Sequence, residues 1–174
     1  MDKLTREQVL LRAEETLDLS GLDLSGLDLS GADLHNVRFR ETNLQGADLS
    51  KADLTETEVR DAQLIGANLS EAKLHRSVLI GANIQEACFD GAYMVGAFLN
   101  GSQAAGASFK QTDLRAARMG VPRCQPADPF GAVTTFRGAN MEWCLFGAAD
   151  LTGVDLRDAN LSHAHLYESE IRGA

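Results

Sequence analysis

The sequence predicts an all-β solenoid that turns a corner every five residues and begins with one short helix. Two observations predict this fold. Every fifth residue from Leu19 to Met119 is apolar, and the pattern resumes from Phe136 to Ile171. The residue two places before each of these positions is small in most repeats, usually Ala. A period of five fits neither an α-helix, at about 3.6 residues per turn, nor the two-residue alternation of a strand.

Each five-residue unit has two inward positions and a corner. The large apolar residue and the small residue before it point inward, and Gly often follows two places later, as at Gly21, where a corner needs positive φ. Asp or Asn usually precedes the large residue, as at Asp48, and bonds to nearby backbone. The first three units carry Leu17, Leu22 and Leu27 at the small position, which predicts a first coil widened beneath the helix.

The repeats resemble a known family. The units at 47–51 (ADLSK), 67–71 (ANLSE) and 159–163 (ANLSH) match the A(D/N)LXX consensus of the pentapeptide-repeat family. The resemblance covers roughly residues 17–174 and is closest to bacterial, especially cyanobacterial, members. It implies a right-handed quadrilateral parallel β-helix with four pentapeptides in each coil.

Four repeats per coil place residues twenty apart in columns. The sequence then predicts a column of alternating charge at Asp18, Arg38 and Glu58. It predicts that Phe89 stacks on Phe109 inside the coil. A further column is predicted to form an amide ladder of Asn43, Gln63, Asn83 and Gln103.

The chain divides into four segments within one structural domain. Residues 1–16 are predicted to form a capping helix, because Thr5 to Gln8 has the sequence of a capping box. Residues 17–119 form the first repeat stretch and residues 134–174 the second. Residues 120–133 form a loop that contains all three prolines, which cannot donate to a β-ladder. The register breaks across this loop, so the face on which the second stretch starts is left open.

Charge and composition narrow the classes of partner. The formal net charge of −9 disfavours direct binding to nucleic acid or to anionic lipid. No apolar run approaches the roughly 20 residues of a membrane helix, and the first residues are too charged for a signal peptide. The 3 cysteines contain no CxxC pair. We therefore expect a cytoplasmic protein that binds neither nucleic acid nor membrane.

Catalytic and metal-binding motifs are missing from the sequence pattern. His35 and His75 are predicted to share a face but to lie two coils apart, about 10 Å, too far to share a metal without another ligand. His163 and His165 are predicted to divide between a corner and a face. We therefore expect a protein that is not an enzyme and that holds no cofactor and no metal.

Outward apolar residues form a predicted patch near the loop. They are Ile65, Val78, Ile80, Tyr93, Val95 and Phe98. Contiguous exposed apolar area usually marks a binding site, so the patch is predicted to bind an unidentified protein partner. In the alternative, a loop residue such as Pro122 or Phe130 covers the patch. Trp143, predicted at a corner beyond the loop, extends either arrangement.

Two hypotheses for function follow. The first is a non-enzymatic protein-interaction module or regulatory scaffold that presents rigid faces and one loop. The second is a DNA mimic, since some pentapeptide-repeat proteins resemble B-DNA in size and charge and bind DNA gyrase. The carboxylate columns Asp28–Asp48 and Asp33–Asp53 last only two coils, which argues against the second hypothesis. The C-terminal repeats have no capping helix, which predicts that the last coil either frays or forms a homodimer with the C-terminal coil of a second copy.

Overall fold

The computed structural model describes residues 4–120 and 134–174, which form a solenoid of stacked coils. Parallel β-bridges join residues twenty positions apart, beginning with Asp18–Arg38 and Arg38–Glu58. Each bridge joins two adjacent coils, and successive bridges lie five residues apart along the chain. A coil of twenty residues therefore has four short faces. This period agrees with the four repeats per coil that the family resemblance implies.

The four faces are numbered by their columns of bridged residues. Face 1 holds Asp18, Arg38, Glu58, Val78, Phe98, Arg118, Leu145 and His165. Face 2 holds Asp23, Asn43, Gln63, Asn83 and Gln103, and later Asp150 and Glu170. Face 3 holds Asp28, Asp48, Asn68, Cys88, Ser108, Thr135 and Asp155, and face 4 holds Asp33, Asp53, Lys73, Tyr93, Asp113, Asn140 and Asn160. The alternating charges on face 1 and the amide column on face 2 are therefore confirmed.

A single helix covers the first coil. Helix α1 spans Arg6–Thr16, and the N-cap residue Thr5 accepts the N–H of Gln8 while the Gln8 side chain accepts the N–H of Thr5. This capping box satisfies two of the helix's unpaired N–H groups. Val9 and Ala13 are buried in the same cluster as the core of the coils. The short N-terminal helix is thus confirmed.

Leu17 ends the helix and does not fill the first coil. Its φ of 51° is left-handed, and its N–H donates to the carbonyl of Ala13 as a C-cap. Its side chain stays 46% exposed, whereas Leu22 and Leu27 are half-buried against the core. The expectation that three leucines widen the first coil is wrong for Leu17, because helix termination fixes the backbone of that residue.

The core is a repeated column of large and small apolar side chains. The large residue of each repeat from Leu19 to Met119 is buried, and almost all of the small residues between them are buried as well. The rings of Phe89, Phe109 and Phe136 stack with centroids 4.8 and 4.7 Å apart, which confirms the predicted Phe89–Phe109 stack and extends it. These separations match the spacing of adjacent coils, about 4.8 Å, so like side chains meet at contact distance.

The buried threonine hydroxyls at the small inward positions donate to backbone carbonyls, mostly of the coil below. The Thr42 hydroxyl donates to the carbonyl of Leu19 at 2.9 Å, and the Thr112 hydroxyl donates to that of Phe89 at 2.7 Å. Hydroxyls buried in this way would be costly without a partner. The bonds therefore allow Thr to replace Ala without opening the core to water.

Every corner within residues 17–120 and 134–174 whose residues are all described holds one residue in left-handed backbone. Gly21 has a φ of 71°, and Glu41 occupies the next corner of the same edge with a φ of 55°. Glycine adopts this conformation freely, whereas a residue with a side chain costs about 1 kcal/mol or more. The Asp18 carboxylate accepts the N–H of Ser20 at 3.0 Å, and the same bond recurs in other repeats. The preference for Asp or Asn before the large residue thus stabilises the approach to each corner.

The interruption leaves the columns aligned. Ser108 pairs with Thr135 at an offset of 27 residues, and Thr135 pairs with Asp155 at the usual offset of 20. Phe136 therefore stays in the aromatic column of the core, which settles the face on which the second stretch starts. Residues 121–133 of the interrupting segment lie outside the described residues.

The C-terminal coil presents an open edge. Its large inward residues Leu156, Leu161 and Leu166 are only half-buried, and within the described residues their N–H groups form no backbone hydrogen bond. One coil earlier, the N–H of Leu151 donates to the carbonyl of Glu170 at 2.7 Å. The end of the described chain therefore exposes both apolar area and hydrogen-bond donors.

The aromatic stack yields a stability prediction. Replacing Phe109 by Ala removes the middle ring and leaves a cavity between two coils. We expect Phe109→Ala to lower the free energy of unfolding by about 3–5 kcal/mol, measured by denaturant unfolding followed by circular dichroism. Tyr167→Ala, at a side chain that is 75% exposed, is the control and should change it by less than about 0.5 kcal/mol. Equal effects of the two substitutions would contradict the central role of the stack.

Candidate functional site

The histidines and cysteines do not converge on a chemical centre. Within residues 4–120 and 134–174, no group of three or more His, Cys, Asp or Glu side chains is placed to hold a metal ion. His35 Nδ1 lies 2.6 Å from Asp33 Oδ1, and this hydrogen bond raises the pKa of His35. The buried Cys144 thiol donates to the carbonyl of Leu114 at 2.8 Å, and burial raises its pKa to about 12. The thiolate needed for reactivity is therefore not formed near neutral pH.

The six predicted patch residues are distributed over three faces. Face 1 carries Val78, Ile80 and Phe98, face 4 carries Tyr93 and Val95, and face 2 carries Ile65. Tyr93 is 50% exposed, and the other five side chains are half-buried. Faces 1 and 4 adjoin, so the residues on these two faces lie on neighbouring walls of consecutive coils, whereas Ile65 lies around the next corner. We call Val78, Ile80, Tyr93, Val95 and Phe98 the central patch.

Face 1 changes character along the rod. Its first three residues alternate in charge, and Arg38 Nη2 lies 3.0 Å from Asp18 Oδ2. Val78 and Phe98 then follow in the same column. Arg118 comes next, with the carbon of its guanidinium 5.1 Å from the centre of the Phe98 ring. The cation–π contact covers part of Phe98, which explains why that ring is half-buried on an outer wall.

Sequence reasoning missed two exposed apolar residues above the central patch. Leu145 is 39% exposed and lies above Arg118 on face 1, and Tyr167 is 75% exposed one coil higher. They could have been found from the columns of residues one coil apart. The sequence alone did not show which residues beyond the interruption belong to each column. Trp143 lies at the predicted corner with a φ of 61°, and its ring is 52% exposed and stacks on His163 at 4.3 Å.

The two predicted contacts from the interrupting segment are not described by the structure. Pro122 and Phe130 lie within residues 121–133, outside the described residues. Both therefore stay predictions.

Several carboxylates in the first half of the rod are paired with cations, most of them on a neighbouring coil. Lys73 Nζ lies 3.1 Å from Asp53 Oδ2, and Arg40 and Arg60 both bind Glu58 Oε1. Two further pairs span adjacent coils at corners, Arg76–Glu56 and Lys51–Glu71. Exposed pairs of this kind stabilise a protein only slightly, but they neutralise the field of each carboxylate locally. The paired carboxylates thus form no continuous negative stripe, although residues 1–61 as a whole carry more acidic than basic side chains.

These contacts lower the pKa of several carboxyl groups. Hydrogen bonds from the side chain and backbone of Ser20 lower the pKa of Asp18, and the Arg40 side chain lowers that of Glu58. The Arg157 guanidinium binds both oxygens of Asp155 at 2.8 Å and holds the pKa of that carboxyl well below its usual range. All of these carboxyls are therefore ionised at neutral pH.

A shallow polar depression lies on the corner between faces 3 and 4. Gly91 has no side chain at this corner, and Asp90, Gln111 and Asp113 surround it together with Tyr93. The depression continues to the next coil past Lys110, Gly138 and Arg137. Tyr93 is thus flanked by apolar residues of the central patch on one side and by polar groups on the other.

The chain is therefore a repeat protein whose outer surface consists of four flat faces and the corners between them. It belongs to the pentapeptide-repeat family, whose family model, described as pentapeptide repeats, matches 8 copies at residues 18–55, 60–94, 89–120 and 139–174. The matched residues make up most of the chain. No curated protein matches the sequence.

Several solved structures are similar to this chain. Full-length QnrB1, a plasmid-mediated fluoroquinolone resistance protein, is 19% identical over 90% of this chain and 87% of its own, with a TM-score of 0.52. HetL, involved in heterocyst differentiation regulation in the cyanobacterium Nostoc sp. strain PCC 7120, is 20% identical over 98% and 99%, with a TM-score of 0.45. A pentapeptide repeat protein from the thylakoid lumen of Arabidopsis thaliana is 37% identical over 55% and 66%, with a TM-score of 0.38. The likeness to QnrB1 shows the fold.

The one helix of the described residues gives no sign of a membrane span. Helix α1 has 11 residues, and among the described residues no helix is both long and apolar enough to cross a bilayer.

The lowered carboxyl pKa values predict loss of stability in acid. A carboxyl whose folded pKa is depressed stabilises the fold above its unfolded pKa, about 4, and that stability is lost as pH falls through the folded pKa. We expect the melting temperature to fall below about pH 4. Asp155→Asn should lower it at pH 7 and flatten this acid dependence, measured by circular dichroism across pH. Thr135→Ala, in the same column without a titrating group, is the control and should shift the whole curve evenly.

Proposed function

We propose that this protein is a non-enzymatic interaction module or regulatory scaffold that binds a protein partner through the central patch. The observation that carries the proposal is the change along face 1, where Val78 and Phe98 replace the alternating charges of the lower coils. Tyr93 adds a half-exposed aromatic side chain on the adjoining face. Aromatic residues on contiguous apolar area are the kind of side chain on which binding energy concentrates.

The backbone beneath the patch supports this role. The N–H of Leu79 donates to the carbonyl of Phe98 at 2.7 Å, and the N–H of Phe98 donates to the carbonyl of Ser77 at 2.9 Å. Both bonds join adjacent coils on the patch wall itself. A partner would meet a pre-organised surface, so little conformational entropy would be lost on this side of the complex.

The proposal retains three further expectations. Trp143 is a contact beside the patch, supported by its exposed ring, and Pro122 and Phe130 are proposed contacts from the interrupting segment. The rod is right-handed, as crossovers between parallel strands almost always are. The protein works in the cytoplasm, and the free thiols of Cys88 and Cys144 are compatible with a reducing compartment.

The DNA-mimic hypothesis has less support from the charges. It draws on the likeness to QnrB1, a fluoroquinolone resistance protein. A mimic of DNA needs a negative stripe sustained along the rod. Here the column of Asp28 and Asp48 continues to Asn68. The parallel column on face 4 is interrupted in the same way by a lysine. We therefore propose the interaction module and leave gyrase inhibition as an outcome to be tested.

The central patch is tested by a double substitution. We expect Tyr93→Ser with Phe98→Ser to remove partner proteins that the wild type captures from a lysate, quantified by mass spectrometry, because the substitutions replace apolar contact area with hydroxyls. The matched control is Gln45→Ser with Gln85→Ser, at the corner between faces 2 and 3 on the opposite side of the rod, which should capture the wild-type set. Circular dichroism verifies that both variants are folded.

Two results would contradict the proposal. Identical partner sets for the wild type and the patch variant would remove the central patch as a binding site. Inhibition of gyrase supercoiling by the purified protein, unchanged in the patch variant, would favour the DNA mimic.

We also propose that the open C-terminal coil pairs with that of a second copy. Half-buried leucines and unpaired N–H groups at this edge support the proposal, because a strand edge left open readily pairs with another chain. Sedimentation equilibrium should show a mass that rises with concentration for the wild type and less so for Ile171→Lys, which places a charge at a side chain 49% exposed on this edge. Tyr167→Lys, on an outer wall, is the control. A monomer at every concentration would refute the pairing.

A further inference from the structure

Arg118 departs from the pairing rule of the rod. Cations in the lower columns lie next to a carboxylate of the adjacent coil, as Arg38 does with Asp18 and Lys73 with Asp53. Arg118 has Phe98 below it and Leu145 above it on face 1. Among the residues that the structure describes, no carboxylate forms an ion pair with Arg118. An exposed guanidinium thus lies within an apolar column with no carboxylate partner.

The contact with Phe98 holds this guanidinium in place. Its central carbon lies 5.1 Å from the centre of the ring, within the range of a cation–π interaction. A guanidinium stacked on an aromatic ring has lost much of its freedom before a ligand arrives, and its five N–H donors favour bidentate binding of a carboxylate. Arg118 is therefore a cation held in a fixed position at the edge of the central patch.

Two glycines follow the bridged residues of face 1 near Arg118. Gly120 and Gly147 come two residues after Arg118 and Leu145 in adjacent coils, and Gly147 is a turn residue. A Cβ on Gly147 would meet nothing within 4 Å, so the space above it is open. A Cβ on Gly120 would lie 3.0 Å from Asn100 Nδ2 and 3.1 Å from the Gly147 carbonyl, so that space is already occupied. Gly147 therefore leaves open surface near Leu145, whereas Gly120 does not.

The charge of the whole chain favours a carboxylate ligand on a protein over nucleic acid. The formal net charge is −9, and residues 1–61 hold 14 acidic against 7 basic side chains. A polyanion lying along the rod would be repelled by that field, whereas a single carboxylate within an apolar segment would need only the local cation. Charge complementarity at this site therefore fits a protein segment with one acidic side chain among apolar ones.

We propose that Arg118, held against Phe98, binds a carboxylate of a partner segment that packs apolar side chains on Leu145 and the central patch. The inference rests on the proposed function and adds the chemistry of its partner. Asp or Glu flanked by aromatic or aliphatic residues is the recognised pattern.

A display selection with random linear peptides tests this pattern on the full-length protein. We expect peptides enriched on the wild type to share an acidic residue next to apolar residues, and a synthetic peptide of that sequence to bind about fivefold or more weakly to Arg118→Gln. Arg118→Lys should recover only part of the affinity, because an ammonium cannot bind in bidentate fashion. Lys110→Gln, which removes another cation without an ion pair among the described residues, is the matched control and should bind as the wild type does.

The outcomes separate this inference from the proposed function. Enrichment of apolar peptides without an acidic residue, lost in Phe98→Ser and kept in Arg118→Gln, would overturn the carboxylate site and leave the central patch in place. Peptide enrichment unaffected by either substitution would overturn both. Binding of a mixed-sequence single-stranded oligonucleotide that depends on Arg118 would assign the site to nucleic acid and also overturn the inference.

Discussion

Backbone hydrogen bonds between successive coils determine what every side chain of this protein meets. The N–H of Val59 donates to the carbonyl of Val78 at 2.8 Å, and the N–H of Val78 donates to that of Thr57 at 2.9 Å. Because such bonds recur in each repeat, residues one coil apart are held side by side at about 4.8 Å. Salt bridges, amide ladders and ring stacks therefore form within columns. A substitution affects first the residues one coil above and one coil below it.

The repeat register was predictable because it depends on burial alone. A large apolar side chain at every fifth position can only face inward in a coil of this size, and Leu19, Phe89 and Leu114 are buried as expected. The columns within the first stretch, including the charge alternation on face 1, needed in addition the four repeats per coil that the family resemblance implies. Leu17 was the exception, since the local demand of a helix C-cap outweighed the repeat pattern.

The binding surface was only partly predictable. The sequence identified Val78, Phe98 and Tyr93 as outward residues but not their exposure, which depends on neighbours such as the Arg118 side chain over Phe98. It did not place Leu145, because spacing in the sequence does not tell how many residues of an insertion leave the coil. Contacts between residues on the two sides of an interruption cannot be derived from sequence spacing.

The constant alignment of the columns on both sides of the interruption has a practical consequence. Phe136 stacks on Phe109 at 4.7 Å although 27 residues separate them, so chain length at this point is uncoupled from the geometry of the walls. Loop-closure entropy rises slowly, by about 0.6 kcal/mol for each doubling of a loop. An epitope or a fluorescent label inserted at this junction should therefore change the free energy of folding only slightly.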